Sequence, residues 1–181
     1  MDFSVVFAGF GGQGVLFAGR ILAQAAMMSG KNVTWIPSYG PEMRGGTANC
    51  TVKISDKKVG ALVVANPAVA IVMNRASFEK FAKTVRPEGL LIVNSSIVKD
   101  VVYPKGINII EIPANAIAHE LGNDSIANMV ILGALIESIK IMSKEEIFLA
   151  IEEVIGKKRP QLIPLNQHAI GAGMDYIRAN R

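Results

Sequence analysis

One glycine-rich segment, Gly9-Phe10-Gly11-Gly12-Gln13-Gly14, constrains the fold of this 181-residue sequence most strongly. The residues before it, Phe3 to Ala8, are mostly apolar and predict a short buried strand, and Val15 to Met28 have the apolar spacing of a helix. Glycines at the spacing G-x-G-x-x-G between a strand and a helix allow a tight turn and let a phosphate approach the backbone. The free N–H groups and the dipole of the following helix favour an anion there. The predicted contact residues are Gly9, Gly11, Gly12, Gln13 and Gly14.

Two residues that specific nucleotide sites need, one in this loop and one about 20 residues after it, are missing. A dinucleotide site usually has an acid about 20 residues further on to hold a ribose hydroxyl, but no Asp or Glu lies between Asp2 and Glu42. A P-loop would carry a lysine where this sequence has Val15. Three interpretations remain open: a stand-alone NAD(P)-dependent Rossmann enzyme, a site for another phosphate-bearing ligand, or a turn that serves only strand–helix packing.

A second unusual loop, Ser38 to Thr47, follows the predicted strand Val33 to Ile36. We expect it at the carboxyl edge of the sheet beside the first loop, because open α/β sheets bind ligands at that edge. Arg44 beside two glycines would allow a guanidinium and bare amides to meet one anion. An exposed turn with incidental charge, or a protein contact through Tyr39, is the alternative. The candidate residues here are Ser38, Tyr39, Gly40, Arg44, Gly45 and Gly46, and a third loop after another strand offers Asn94 and Ser95.

The rest of the sequence alternates short apolar runs with helical patterns, which predicts an α/β fold. We predict a three-layer, Rossmann-like single domain over residues 1–181, with a mainly parallel sheet and a helical C-terminal part. Further strands are expected at Asn49–Ile54, with a partner around Val59–Val64, and at Ala68–Met73, Leu90–Val93 and Ile107–Ile112. Further helices are expected at Ser77–Val85 with Ser77 as N-cap, Ala114–Leu121, Asp124–Met142, Ser143–Ile155 with a Ser143/Glu146 capping box, and from Pro164 or Asn166 to Ala179.

Composition excludes several functional classes. Half of the residues are apolar and 19% are charged, which is unlike a disordered chain. The single cysteine, Cys50, rules out a disulfide framework and a multi-cysteine metal or iron–sulfur site within the chain, and its place in a strand predicts a small core residue. The two histidines, His119 and His168, are far apart, so we expect no metal centre here. The sequence has no G-x-S-x-G motif or comparable motif around a catalytic nucleophile, and we predict no catalytic residue.

Charge and hydropathy patterning set the expected environment. The formal charge of +4 is spread along the chain and is not interleaved with aromatics, which does not favour nucleic-acid binding. No apolar stretch approaches the roughly 20 residues of a spanning helix, and the N-terminal Met1-Asp2 lacks the basic start of a signal peptide. We therefore expect a soluble, cytoplasmic protein without a membrane segment.

Taken together, the two loops at this spacing and Val52-Lys53-Ile54-Ser55-Asp56 resemble the gamma subunit of the 2-oxoacid:ferredoxin oxidoreductases. The resemblance covers nearly the whole chain. The sequence from Ser38 to Cys50, with Thr47-Ala48-Asn49-Cys50 after the double glycine, looks most like the 2-oxoglutarate branch, although pyruvate and 2-oxoisovalerate relatives share most of the motif.

This resemblance implies an enzyme that converts 2-oxoglutarate, coenzyme A and oxidised ferredoxin into succinyl-CoA, CO2 and reduced ferredoxin. It implies that thiamine diphosphate, Mg and the iron–sulfur clusters sit on partner subunits: the thiamine-binding alpha and beta subunits and a ferredoxin-like delta subunit. This chain would contribute to assembly and to positioning coenzyme A, whose phosphates suit the two glycine loops and Arg44. A non-catalytic scaffold subunit is the further alternative.

Overall fold

The computed structural model of the chain describes residues 2–40, 46–59, 63–156 and 159–180. Within these residues, strands and helices alternate from the start of the chain, and helices dominate its last third. The strands are β1 Asp2–Phe10, β2 Asn32–Tyr39, β3 Thr47–Ser55, β4 Val69–Val72, β5 Leu90–Asn94 and β6 Asn108–Ile112. The helices are α1 Val15–Met28, α2 Arg75–Phe81, α3 Ala114–Glu120, α4 Ala127–Ile139, α5 Lys144–Ile155 and α6 Ile163–Ala179, with short 3-10 turns at Ala82–Thr84, Asp124–Ile126 and Pro160–Leu162.

The described strands form one six-stranded sheet in the order β2-β3-β1-β4-β5-β6. The strands β1, β4, β5 and β6 pair in parallel, whereas β3 is antiparallel to both β1 and β2. It follows that β2 runs in the same direction as β1 but is separated from it by β3. The prediction of a mainly parallel sheet in an α/β fold is confirmed.

The predicted strand partner at 59–64 is wrong for the residues of that range that the structure describes. Positions 59, 63 and 64 are not in a strand, and residues 60–62 lie outside the described residues. The physical reason is that β1 and β2 already pair with the two edges of β3. A strand with both neighbours in place has no edge left for a third.

Two layers of helices cover the two faces of the sheet. In β4, Val69 and Ile71 pack into the core formed with α1 and α3 to α6, while Ala70 and Val72 pack into a smaller core with Phe78 of α2. All four residues are buried, as expected for a parallel strand covered on both sides. The predicted three-layer arrangement is therefore present.

Helices α4 and α6 approach each other unusually closely. A Cβ atom at Gly133 would lie 2.1 Å from the carbonyl oxygen of Ile170, and one at Gly173 would lie 1.9 Å from that of Val130. Each helix therefore contributes a glycine on which the other helix's backbone rests. Since α4 is buried over nearly all of its length, this crossing forms the centre of the larger core.

Helix ends follow the predictions in one case and depart from them in another. The capping box of α5 is confirmed, because the Ser143 and Glu146 side chains each accept a hydrogen bond from the other's backbone N–H. The prediction of Ser77 as an N-cap is wrong. Helix α2 begins at Arg75, since the side chain of Asn74 accepts from the Ser77 N–H at 2.8 Å and so caps the helix one turn earlier. Among the described helices, none is both long and apolar enough to cross a membrane.

Candidate functional site

The first glycine loop lies beside the described ends of the second loop at the carboxyl edge of the sheet. The prediction of a loop over Ser38–Thr47 is wrong at its ends, because Ser38 and Tyr39 pair as part of β2 and Thr47 pairs as part of β3. The ends of β1 and β2 both lie against the beginning of β3, where Phe10 pairs with Thr47 and Tyr39 pairs with Ala48. The Gly11 N–H donates a hydrogen bond to the Gly46 carbonyl oxygen at 3.0 Å. The predicted contact residues Arg44 and Gly45 lie outside the described residues.

The side chain of Gln13 fixes the first loop to the end of β4. Its Oε1 atom accepts from the backbone N–H of Phe10 at 2.7 Å and from Nδ2 of Asn74 at 2.9 Å, and its Nε2 atom donates to the Met73 carbonyl oxygen at 3.2 Å. Because both ends of the carboxamide are occupied, Gln13 acts as a positioning residue for the loop. A ligand contact by Gln13 stays a prediction.

Gly12 is the residue of the first loop that leaves its backbone open. It is exposed, its φ is +99°, and a Cβ atom there would have nothing within 4 Å. Among the described residues, the N–H of Gly12 has no hydrogen-bond partner. Helix α1 begins just beyond, at Val15, with no side-chain cap and no acid in its first turn. Within the described residues, an amide without a partner therefore stands three residues before the positive end of a helix dipole, and such a combination suits an anion.

Two glycines of the G-x-G-x-x-G fingerprint, Gly9 and Gly14, serve packing instead. A Cβ atom at Gly9 would lie 2.8 Å from Oε1 of Gln13, and one at Gly14 would lie 2.3 Å from Nδ2 of Asn128. Asn128 lies in the first turn of α4 and donates to the Gly14 carbonyl oxygen at 3.0 Å. The packing interpretation of the glycine turn therefore applies to Gly9 and Gly14 but not to Gly12.

The third candidate loop lies at the same edge but two strands away from β1. Asn94 is fully buried, and its Nδ2 atom donates to Oδ1 of Asn115 at 2.7 Å. The Ser95 N–H donates to the Ile112 carbonyl oxygen at 3.0 Å. The structure thus does not bring these two residues to the glycine loops, and a ligand role for them stays a prediction.

The strand order removes the geometry that a nicotinamide dinucleotide needs. In the dinucleotide-binding fold, the acid that holds the ribose follows a parallel strand directly beside β1. Here the neighbour on that side is the antiparallel β3, and β2 ends in Ser38 and Tyr39. On its other side β1 pairs with β4. The helix after β4, α2, packs on the opposite face of the sheet from α1. The crevice between the carboxyl ends of β1 and β4 is therefore the point where strand order reverses. The Gln13 carboxamide bridges that crevice.

Titratable groups elsewhere in the described residues form no reaction centre. Cys50 is fully buried, as predicted for a core residue, and its burial raises the pKa of the thiol to about 12. His119 pairs with Asp124 on the surface. No group of three or more His, Cys, Asp or Glu side chains that could hold a metal is found in the part of the chain that the structure describes.

The fold and this edge define an α/β domain with a glycine loop at the carboxyl end of its first strand, directly before the first helix. The chain belongs to the pyruvate ferredoxin/flavodoxin oxidoreductase family, whose sequence pattern matches residues 4–176. The family that the sequence motifs indicated is thereby confirmed.

Individual relatives agree with this assignment. The chain is 38% identical over 97% of its length to the ketoisovalerate oxidoreductase subunit VorA of Methanothermobacter marburgensis, of which it covers 37%. It is 34% identical over 94% of its length to the 2-oxoglutarate synthase subunit KorC of Methanothermobacter thermautotrophicus, of which it covers 92%. The chain therefore spans little more than a third of the VorA relative but nearly all of the KorC relative.

Solved structures share the fold. The gamma subunit of a keto/oxoacid ferredoxin oxidoreductase from Geobacter sulfurreducens superposes with a TM-score of 0.83 at 28% identity, covering 98% of this chain and 99% of that one. The 2-oxoglutarate:ferredoxin oxidoreductase from Magnetococcus marinus, solved with 2-oxoglutarate, coenzyme A and succinyl-CoA bound, gives a TM-score of 0.89 at 24% identity. This chain covers 31% of that larger chain.

Proposed function

We propose that residues 1–181 form a single gamma-subunit domain of a cytoplasmic 2-oxoacid:ferredoxin oxidoreductase, and that this domain helps to assemble the complex and to position coenzyme A. The observation that carries this proposal is the hydrogen bond from Gly11 to Gly46 at the sheet edge, together with the N–H of Gly12, which has no partner among the described residues and precedes the start of α1. Thiamine diphosphate, Mg and the iron–sulfur clusters belong to the alpha, beta and delta partner subunits, and ferredoxin accepts the electrons.

Coenzyme A fits this edge better than a nicotinamide dinucleotide does. Its phosphates need amide donors and cations, which Gly12, the first turn of α1 and Arg44 would supply. It does not need the ribose-binding acid, which no Asp or Glu supplies between Asp2 and Glu42. The fold is shared with the Magnetococcus marinus enzyme, which was solved with coenzyme A bound.

For the substrate we propose 2-oxoglutarate, because the sequence Thr47-Ala48-Asn49-Cys50 in β3 resembles that branch of the family. Similar relatives carry both a ketoisovalerate and a 2-oxoglutarate name, so the choice of 2-oxoacid would depend on the partner subunits that hold thiamine diphosphate. The ratio of kcat/KM for 2-oxoglutarate, pyruvate and 2-oxoisovalerate in the purified complex tests this. A preference for either of the other two acids contradicts the proposed substrate.

Co-purification tests the assembly role. The chain carrying an affinity tag, expressed in its native cell, should bring down thiamine-binding subunits and an iron–sulfur subunit in fixed ratio. The same tag on an unrelated domain serves as the control. Recovery of the tagged chain without thiamine-binding partners contradicts the proposal.

Gly12→Ala in the assembled complex tests the coenzyme A role. The added methyl group stands over the open amide, so we expect the KM for coenzyme A to rise by about tenfold while the KM for the 2-oxoacid stays unchanged. Gly106→Ala is the matched control, because Gly106 also has a positive φ, +78°, and also has open space around its Cβ position. Equal KM values for coenzyme A in both variants would remove Gly12 from the site. Arg44→Ala should act in the same direction as Gly12→Ala.

A further inference from the structure

The two lateral edges of the sheet, formed by the outer sides of β2 and β6, differ in their protection against a further strand. Just after β2, the Gly40 N–H donates to the Thr47 carbonyl oxygen of β3 at 2.7 Å. Backbone direction alternates along a strand, so Pro37, three residues earlier, points its backbone to the free side. A proline there has no N–H to donate and blocks the addition of another strand. The β2 edge is therefore protected.

The β6 edge carries neither a proline nor a lysine in its five residues, Asn108–Ile112. The N–H of Asn108 and the carbonyl oxygen of Ile112 bond to residues that flank β5, at 2.8 and 3.0 Å. By the same alternation, the N–H and C=O groups of Ile109 and Glu111 point away from β5. Since no described strand lies on that side, these backbone groups are available to a further strand.

Glu111, the charged residue of β6, is engaged within its own chain. Its carboxylate accepts a hydrogen bond from the Tyr103 hydroxyl, and the Tyr103 ring packs edge-to-face on Phe78 of α2. Its neighbours in the strand, Ile109 and Ile110, are apolar and half-buried. The edge thus offers backbone groups between apolar side chains, which is typical of a site for strand addition.

A cleft of about 580 Å³ opens along this edge, between β6 and the last turns of α4 and α6. Beside the strand, its walls include Ile139 of α4 and Tyr176 and Ile177 of α6. Among the described lining residues, Glu111 is the one that carries a charge at neutral pH. A partner that matches this surface is therefore a strand with apolar, nearly uncharged surroundings.

We propose that the β6 edge binds the β6 edge of a second copy of the chain, as an antiparallel pair about a two-fold axis at Ile110. In this register Ile109 of each copy lies opposite Glu111 of the other, so the outward-pointing N–H and C=O groups of both copies pair. Ile110 meets its own mate at the axis, at a non-hydrogen-bonded position where side chains are closest. A register centred on Glu111 would instead place two carboxylates opposite each other, which is destabilising.

A second copy fits this edge better than an unrelated strand because it also completes the cleft. The axis is perpendicular to the sheet, so the ends of α4 and α6 of both copies lie on one face of the joined sheet. The apolar walls at Ile139, Tyr176 and Ile177 then face the same walls of the mate. A partner with a charged rim would leave its charges unpaired against this lining. Because Pro37 protects the other edge of each copy, the pairing stops at a dimer.

The size of the contact indicates a weak dimer. A strand of five residues spans about 17 Å and three layers span about 30 Å, so the contact covers roughly 500 Å² per copy. Weak specific interfaces bury up to about 600 Å² per partner. We therefore expect a dissociation constant in the micromolar range. This pairing does not depend on the proposed function, because no coenzyme A contact enters it.

Sedimentation velocity of the full chain from about 5 µM to about 500 µM tests the pairing, and we expect a monomer–dimer equilibrium. Glu111→Pro removes an outward N–H and places a ring on the edge without altering the bonds to β5, so it should weaken the dimer at least about tenfold. Glu111→Ala is the matched control, because it loses the same carboxylate but keeps the N–H, and its dissociation constant should stay close to that of the unmodified chain. A monomer throughout this range, or equal dimerisation of the two variants, overturns the proposal.

Disulfide trapping tests the register and does not depend on a proline. In Ile110→Cys the two introduced thiols lie opposite each other at the axis, where the Cα atoms of such a pair are about 4.5 Å apart and a disulfide can form. In Asn108→Cys, on the same face of the strand, the introduced thiols of the two copies lie about 13 Å apart. The native Cys50 is fully buried and does not compete. We expect a covalent dimer of Ile110→Cys under oxidised glutathione and none of Asn108→Cys. Equal yields from the two variants, or no dimer from Ile110→Cys, overturn the proposal.

The assembled complex distinguishes a second copy from another subunit as the occupant of this edge. If the full chain alone is monomeric and a photo-crosslinker at position 110 captures only a different subunit in the complex, the edge belongs to that subunit and the proposal is overturned. Neither result changes the KM for coenzyme A in Gly12→Ala, so the proposed function stands or fails separately.

Discussion

Glycines do two different things in this molecule, and the α4–α6 crossing and the loop after β1 show them side by side. At Gly133 and Gly173 the missing side chain makes room for the backbone of the other helix, and a Cβ atom would lie about 2 Å from a carbonyl oxygen. At Gly12 the space is empty and the requirement is the positive φ. The positive φ alone explains why a glycine stands at such an open position, as it also does at Gly106, so the ligand role of Gly12 belongs to the proposed function.

The same difference is found within the glycine loop after β1. Gly9 and Gly14 belong with the packed glycines, because Gln13 and Asn128 occupy the space beside them. Gly12 belongs with the open ones. Gly12 stands at a variable position of G-x-G-x-x-G, so a match to that pattern does not identify the open glycine of the loop, whereas the neighbours of each glycine do.

The largest effects are expected at the helix crossing. Gly133→Ala or Gly173→Ala forces α4 and α6 apart, and we expect each to lower the free energy of unfolding by about 3 kcal/mol or more. Urea denaturation followed by circular dichroism measures it. Gly171→Ala in the same helix is the control, since the nearest atom to its Cβ position is the Lys144 Nζ at 4.0 Å. This control should gain roughly 0.5–1 kcal/mol from helix propensity. Equal stability of the three variants would contradict the packed class.

An intermediate effect is expected at Gly14, which is both packed and conformationally special. Gly14→Ala combines a φ of +69° with a Cβ atom 2.3 Å from Nδ2 of Asn128. We expect it to cost about 2–3 kcal/mol in the free energy of unfolding. Adding Asn128→Ala removes the steric part, so the double variant should lose about 1 kcal/mol less than the sum of the single variants. Strict additivity would place Gly14 outside the packed class.

A smaller effect is expected at the open glycines. Gly12→Ala and Gly106→Ala should each cost about 1 kcal/mol, because both residues have positive φ and neither Cβ atom meets a neighbour. Their unfolding midpoints in urea should agree. A much larger loss of unfolding free energy in Gly12→Ala than in Gly106→Ala would mean that Gly12 is packed in solution. It would contradict the distinction between packed and open glycines.

The smallest effect is expected for the thiol reactivity of Cys50. This side chain packs against Gly19, so its reactivity tests a packed glycine without a mutation. A Cβ atom at Gly19 would lie 2.3 Å from the Cys50 Sγ atom, the side chain is fully buried, and burial raises the pKa of the thiol to about 12. We therefore expect no reaction with Ellman's reagent at pH 8 in the native chain and reaction after unfolding in urea. Rapid reaction of the native thiol would show that the α1–β3 contact opens readily.

Local sequence patterns predicted the elements well, and the arrangement of the strands less well. The bounds of α1 agree with the expected Val15 to Met28, because the apolar period and the flanking glycines are local signals. The capping box of α5 is local in the same sense. The insertion of β3 between β1 and β2 was not predicted, because it depends on pairings between residues that are distant along the chain.

The site shows the same division. The rule for open α/β sheets predicted the first loop and the second at the same carboxyl edge, and the hydrogen bond between Gly11 and Gly46 confirms this for the described end of the second loop. The bonds of Gln13 to Met73 and Asn74, and the contact of Asn128 with Gly14, join residues about 60 and 114 positions apart. Asn128 is a single polar residue in an otherwise apolar helical pattern. Asp124 and Ser125, which precede it, are ordinary turn formers. No local signal identified it as part of the edge.

The position of β3 has a consequence for the order in which the sheet assembles. Tyr39 and Ala48, which begin the β2–β3 pairing, are close in sequence, whereas Phe10 and Thr47 are much further apart. Loop closure is more favourable for the nearer pair, so the hairpin of β2 and β3 forms first and docks onto β1 as one unit. Pulse-labelled amide exchange during refolding should protect Ile36, which stands at a hydrogen-bonded position opposite Thr51, before Phe7. The surface that carries both glycine loops would then be a late product of folding, completed only when this hairpin has closed against the first strand.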